Sequence, residues 1–185
     1  MNEAAAGIDA KADHAAAGTR KKSRFARSVP AARELVIGAS LWGAAMTLSA
    51  WFGLWLRERA LTFHLSELLV LFGVGALMAW PPSLFLARFA ALERRIETRF
   101  AAYLFFLALG TIGMTAMLFA LDYRAFYAQW HAPVGTRTWL FQFAFTTAIA
   151  FYQFLVMGLR LYLPVGGAIL LGVSLWLANG RGEQR

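Results

Sequence analysis

Charged side chains are missing from five windows of the chain, residues 35–56, 68–87, 100–121, 138–159 and 161–180. A soluble amphipathic helix would carry its apolar residues on one stripe, whereas these windows are apolar around the whole helical circumference. Crossing the hydrocarbon core of a bilayer takes about 20 apolar residues at ~1.5 Å each. Each window has 20 or 22 residues. The pattern therefore predicts an all-α, polytopic membrane helix bundle with five transmembrane helices. The alternative is four, with the C-terminal segment re-entrant or interfacial.

The second window needs a finer reading. Pro81 and Pro82 follow Trp80, remove two backbone donors and restrict the residue before them. Beyond them Phe85, Phe89, Leu92, Ile96 and Phe100 recur at helical spacing, with Arg88, Arg94, Arg95 and Arg99 on other faces. This predicts a span over 61–80 and a basic amphipathic helix over 83–99 lying on the cytoplasmic leaflet. The competing reading is one kinked span that ends near Phe89. The remaining spans are expected at 35–56, 100–121, 138–159 and 161–179. Residues 138–180 would reach roughly 64 Å as one helix, about twice the hydrocarbon thickness, so the segment must fold back, with Arg160 and Pro164 marking the turn. Residues 122–137 carry Tyr123, Phe126, Tyr127, Trp130 and Trp139 in or beside them. They predict a short interfacial turn or helix ended by Pro133 and Gly135.

Composition agrees: 59% of residues are hydrophobic and 15% charged, which excludes a soluble enzyme or soluble binding module. The net charge of +8 would suggest nucleic acid in a soluble protein, but the basic residues cluster next to the first span. Arg20, Lys21, Lys22, Arg24, Arg27 and Arg33 precede it with no acidic residue among them, a pattern that sets orientation and attracts anionic lipid. Arg94 and Arg95 would do the same from the surface helix. Residues 1–33 are expected to form a disordered basic cytoplasmic tail, 34–180 a single bundle and 181–185 a C-terminal tail. The first apolar run is too long for a signal peptide and is read as a retained span. With five crossings, twelve Lys and Arg fall inside and six outside, which favours an N-inside, C-outside threading. Leaving the last segment uncrossed would make the count fourteen to four.

The polar residues within the windows are few. Gln142 and Gln153 lie eleven residues apart in the fourth span, within about 20° of one helical face, and Thr146 lies between them. Such amides predict either interhelical hydrogen bonds or the lining of a path, with Thr111 and Thr115 of the third span opposite. Ala39, Gly43 and Thr47 at four-residue steps, and Gly110, Thr111, Gly113 and Thr115, predict close helix approach or an interface between copies. Trp42, Trp51 and Trp55 are read as packing and interface anchors rather than a ligand cage. Glu58, His64, Glu67, Asp122 and His131 gather on the outer side, but only His64 and Glu67 have local ligand-like spacing, so no metal site is predicted. Cysteine is absent, no histidine lies in a span for haem ligation, and no catalytic motif is present. Neither cofactor nor enzyme activity is expected.

The function this supports is a small inner-membrane protein with a structural, regulatory or partner-binding role. The alternatives are a small oligomeric transporter or channel lined by the Gln142 and Gln153 face, and a lipid-acting enzyme using His64, His131 and Asp122. The expected partners are the bilayer and either a second copy of the chain or another membrane protein, not nucleic acid.

Overall fold

The computed structural model describes residues 27–57, 64–92 and 94–180. Most of the basic tail, with Arg20, Lys21, Lys22 and Arg24, lies outside the described residues, as do Glu58 and residues 181–185. The described residues form an all-helical bundle: α1 (Ala32–Trp55), α2 (Leu65–Ala90), α3 (Ile96–Tyr127), α4 (Arg137–Gln153) and α5 (Val165–Asn179). Four stretches, Ala32–Trp55, Leu65–Ala90, Ile96–Trp130 and Arg137–Tyr162, are long and apolar enough to cross a membrane, and Val165–Asn179 is a shorter apolar helix. Large apolar side chains face outward throughout, among them Leu41, Phe105, Phe145 and Trp176, as a surface bathed in lipid requires and one bathed in water would not.

α1, α2 and α3 make an antiparallel core. The small-residue stripe of α1 acts as its spacing predicts. A Cβ on Gly43 would stand 3.0 Å from the Gly73 carbonyl of α2, so the backbones meet with only hydrogen between them, and contact replaces the hydrophobic effect that lipid cannot supply. Trp42 is buried, lies 5.8 Å from Trp80 ring to ring, and donates its indole N–H to Thr111 Oγ1 on α3 at 2.9 Å. Trp51 and Trp55 stay exposed, as interface anchors would. The first span begins three residues earlier than expected, so Ala32 and Arg33 belong to α1 rather than to the tail.

The amphipathic surface helix over 83–99 is not formed. α2 runs through Pro81 and Pro82 as one helix and ends at Ala90, and α3 starts at Ile96 after a short turn. The face that decides this is not the Phe85 and Phe89 stripe but Ser83, Leu84, Ala87 and Arg88, all buried against the bundle. Arg88 Nη2 reaches Glu34 Oε2 of α1 at 2.8 Å. Packing and an ion pair therefore hold the segment beside α1 although two backbone hydrogen bonds are missing. Neighbouring helices in a membrane tolerate such losses. Arg94 and Arg95 sit exposed in the turn. α3 extends past the expected 121, because the aromatic segment simply continues the helix to Tyr127 and a 3-10 turn Ala128–Trp130 follows. Gly135, with φ +90°, closes the loop, and Thr136 Oγ1 then caps α4 by accepting from Trp139 N at 3.1 Å.

The predicted fold-back after α4 is present at the predicted place. A π-turn Phe154–Gly158, a 3-10 turn Leu159–Tyr162 and Pro164 separate α4 from α5. Its position differs from the expectation. Arg57, at the C-terminal end of α1, donates to the Arg160 carbonyl. α4 therefore returns the chain to the end of the bundle where α4 started. It lies obliquely across α3: Phe143 meets Arg124, whose guanidinium carbon is 3.9 Å from the ring centroid, and Phe154 meets Phe119. The eleven-residue step from Phe143 to Phe154 thus covers five residues of α3. α5 then runs antiparallel to α1, from Gly166 beside Ser49 to Trp176 and Leu177 beside Arg33 and Glu34. The C-terminal end of α5 and the N-terminal end of α1 lie at the same end of the bundle, against the expectation of opposite ends.

Candidate functional site

Where the chain folds back, α1, α2, α3 and the π-turn enclose a vestibule of about 630 Å³. Its floor is aromatic, with Phe72, Phe119 and Phe154 packed at ring separations of 6.0 Å from Phe154 to each of the others. Its rim is polar, with Arg57, His64, Gln153 and Arg160. A volume of this order with an apolar floor and a few polar groups is the general form of a small-molecule site.

Three of the rim residues, Arg57, Arg160 and His64, are held by side-chain hydrogen bonds. Arg57 Nη1 donates to the Gly53 carbonyl at 2.9 Å and Nη2 to the Arg160 carbonyl at 3.3 Å, so one guanidinium caps the end of α1 and ties it to the fold-back. Arg160 donates from Nε and Nη2 to the Val156 carbonyl at 3.2 and 2.9 Å, which holds its guanidinium against the π-turn. The turn comes so close to α1 that a Cβ on Gly53 would stand 3.1 Å from the Leu161 carbonyl. Ser49 Oγ completes the junction, within 3.3 Å of the Leu161 and Tyr162 carbonyls and accepting from Gly166 N at 2.8 Å. His64 Nδ1 lies 2.9 Å from Glu67 Oε2 in the first turn of α2, both side chains exposed. This is the one local pair expected from spacing. Among the described residues no three His, Cys, Asp or Glu side chains gather as a metal site would need.

The residues proposed to line a path in the fourth span separate. Gln142 Oε1 accepts from Ala132 N at 2.8 Å, and Thr146 Oγ1 lies 3.4 Å from His131 Nε2. Both therefore bond the loop that precedes α4. Gln153 alone reaches the vestibule. Thr111 and Thr115 are buried in the core, the first bonded by Trp42 and the second accepting from the Tyr162 hydroxyl at 2.8 Å. Five polar residues expected around one lining thus serve three different places.

The pattern of the sequence does not disclose the meeting of Arg57 with Arg160, nor that of Arg88 with Glu34. Each is a charge at or near the edge of a window. The only signal is opposite sign at the same depth for Arg88 and Glu34, and for the two arginines there is none.

A scan against protein-family models finds no match to this chain, and searches of curated proteins and of solved structures find none either.

Proposed function

We propose that this chain is a multi-pass protein of the cell inner membrane, N-terminus in the cytoplasm, that acts without covalent chemistry as a structural, regulatory or partner-binding component. The observation that carries the reading is the use of its buried polar side chains. Trp42 with Thr111, Tyr162 with Thr115, and Ser49 with the fold-back all join one element to another, which is what a scaffold of packed helices needs and a reaction centre does not. α4 buries only Ala150 of its own residues, leaving Phe141, Phe145, Ile149 and Tyr152 exposed as a face for a second copy or another membrane protein.

The orientation rests on charge. With α5 ending beside the start of α1, both termini belong to one side. Thirteen of the eighteen Lys and Arg then fall in cytoplasmic segments and five, including Arg160, outside. That is a stronger bias than the twelve to six obtained with opposite termini. Because the chain lacks cysteine, single cysteines report cleanly. Arg57→Cys and Arg160→Cys are labelled from outside and Arg95→Cys from the cytoplasm, and a reporter fused after Arg185 is active in the cytoplasm. A periplasmic reporter overturns this threading.

One observation favours a small oligomeric transporter instead, the π-turn beside Gln153 on an open vestibule, since such turns recur at functional sites. In proteoliposomes Gln142→Leu lowers thermal stability, because Ala132 N loses its acceptor, and Gln153→Leu changes no solute flux. Lost flux in Gln153→Leu at unchanged stability replaces the scaffold reading with transport.

A further inference from the structure

At the other end of the bundle α1, α2 and α5 leave a second cavity, of about 620 Å³. Its walls are aliphatic and aromatic, Leu41, Ala45, Trp80 and Val173 among them, and at the end nearest the start of α1 stand Arg33, Glu34 and Arg88. The apolar length and the charged end suit different parts of one molecule.

The charged end is out of balance. The Arg88 side chain is only 6% exposed and pairs with Glu34 through Nη2, while its Nε is buried without a hydrogen-bond partner. A buried donor left unmade is costly, and a charged one more so. The Glu34 carboxylate is already shared, since Oε2 also accepts from Ala31 N at 3.1 Å. Arg33 adds a second positive charge, so among the described residues lining the cavity two guanidiniums stand with one carboxylate. The cluster lies where α1 begins and α2 ends, the depth at which lipid headgroups sit when these helices cross.

We propose that this groove holds one acyl chain of an anionic phospholipid, with the lipid phosphate at Arg33 and Arg88. A phosphate oxygen supplies the acceptor that Arg88 Nε lacks and neutralises the excess charge, and the chain covers the apolar wall between α1 and α5. A zwitterionic lipid brings a phosphate but also a cation, which Arg33 and Arg88 repel. A soluble headgroup without a chain leaves the groove wall uncovered. The inference is independent of the scaffold reading and of which face is cytoplasmic, because its test has no sidedness.

The test is native mass spectrometry of the full chain in detergent, titrated with phosphatidylglycerol, with phosphatidylcholine of the same acyl chains, and with glycerol phosphate alone. Phosphatidylglycerol is expected to bind at least about fivefold more tightly than phosphatidylcholine, about 1 kcal/mol for one guanidinium at a headgroup. Glycerol phosphate does not compete. Arg33→Gln removes the preference for the anionic lipid while keeping the melting temperature, and Ala45→Trp, which fills the groove, weakens retention of both lipids. Arg88→Gln also disturbs the pair with Glu34, so the Arg33 and Ala45 variants are the deciding ones. Equal binding of the two lipids, full competition by glycerol phosphate, or unchanged retention in Ala45→Trp overturns the proposal. So does a shift of Ala45→Trp from dimer to monomer with no change in lipid, which would mark the groove as an interface between copies.

Discussion

α2 contains two adjacent prolines in its interior and stays one helix of 26 residues. The 26 residues from Arg137 to Tyr162 contain none and come apart into an α-helix, a π-turn and a 3-10 turn. Local propensity predicts the reverse, since an interior proline costs about 3 kcal/mol in a soluble helix. What separates the two segments is burial. In the most apolar eighteen-residue stretch of α2, 39% of residues are buried, against 11% in the later segment. α2 lies between α1 and α3 and packs against both. The later segment touches the bundle along one edge, through Arg124, Phe119 and the core at Tyr162. Where no neighbour holds the backbone, its path is set by the points that are held, here Phe154 on the aromatic floor and the Leu161 and Tyr162 carbonyls at Ser49.

The sharpest test of this contrast compares one ring on each segment. Phe72, 1% exposed, packs 4.9 Å from the Tyr162 ring and 6.0 Å from Phe154. Phe145 is 64% exposed on α4. Phe72→Ala is expected to lower unfolding free energy in detergent by about 3 to 5 kcal/mol, and Phe145→Ala by less than about 0.5 kcal/mol. Comparable losses would mean that α4 is buried after all, by a partner helix of another chain.

A smaller effect is expected at the junction of the two regions. The Tyr162 hydroxyl is the polar link from the fold-back to α3. Interhelical hydrogen bonds in membrane proteins average about 0.6 kcal/mol and reach about 1.7. Tyr162→Phe keeps the ring and leaves the fully buried Thr115 hydroxyl without that donor, so a loss of about 1 kcal/mol is expected by the same measurement. A larger loss, with new proteolysis at 154–163, would show that this bond rather than the apolar floor fixes the fold-back.

These contrasts explain what the sequence could and could not reveal. The windows, the close-approach stripe at Gly43, the packing role of Trp42 and the fold-back near Arg160 and Pro164 were legible, because each depends on the bilayer or on immediate neighbours. The course of α2 was legible only as the competing reading, a span continuing through the prolines to near Phe89, since the Glu34 that pairs with Arg88 lies on α1, far away along the chain. The end of the bundle to which α4 returns was not legible. An apolar window looks the same whether it crosses a bilayer or lies obliquely within it, and Arg160 has no mark of the side it occupies until Arg57 is seen beside it. The scattering of Gln142, Thr146, Gln153, Thr111 and Thr115 has the same origin. A shared helical face is a local property, but the partner of that face is set by the tilt of the whole helix.

The smallest effect is expected where propensity theory expects the largest. Replacing Pro81 and Pro82 together by alanine restores two donors to the carbonyls of Leu77 and Met78. It also alters the backbone geometry with which the buried Ser83, Ala87 and Arg88 now fit against the bundle. The gain in backbone bonding and the loss in fit act in opposite directions, so unfolding free energy should change by less than about 1 kcal/mol in either sense, below the cost of a single interior proline in a soluble helix. The topology should not change at all, because α2 is already continuous. A single cysteine at Phe89, with and without the double substitution, separates the two accounts. If residues 83–90 belong to a packed span, the exposed position 89 on its lipid-facing side reacts with a lipid-soluble reagent and resists a water-soluble one in both backgrounds. If those residues instead lay on the leaflet surface, removing the prolines would draw them into the second span, and the cysteine would pass from the water-soluble reagent to the lipid-soluble one. An unchanged pattern means that contacts with α1 and α3, and not the prolines, decide where the second helix ends.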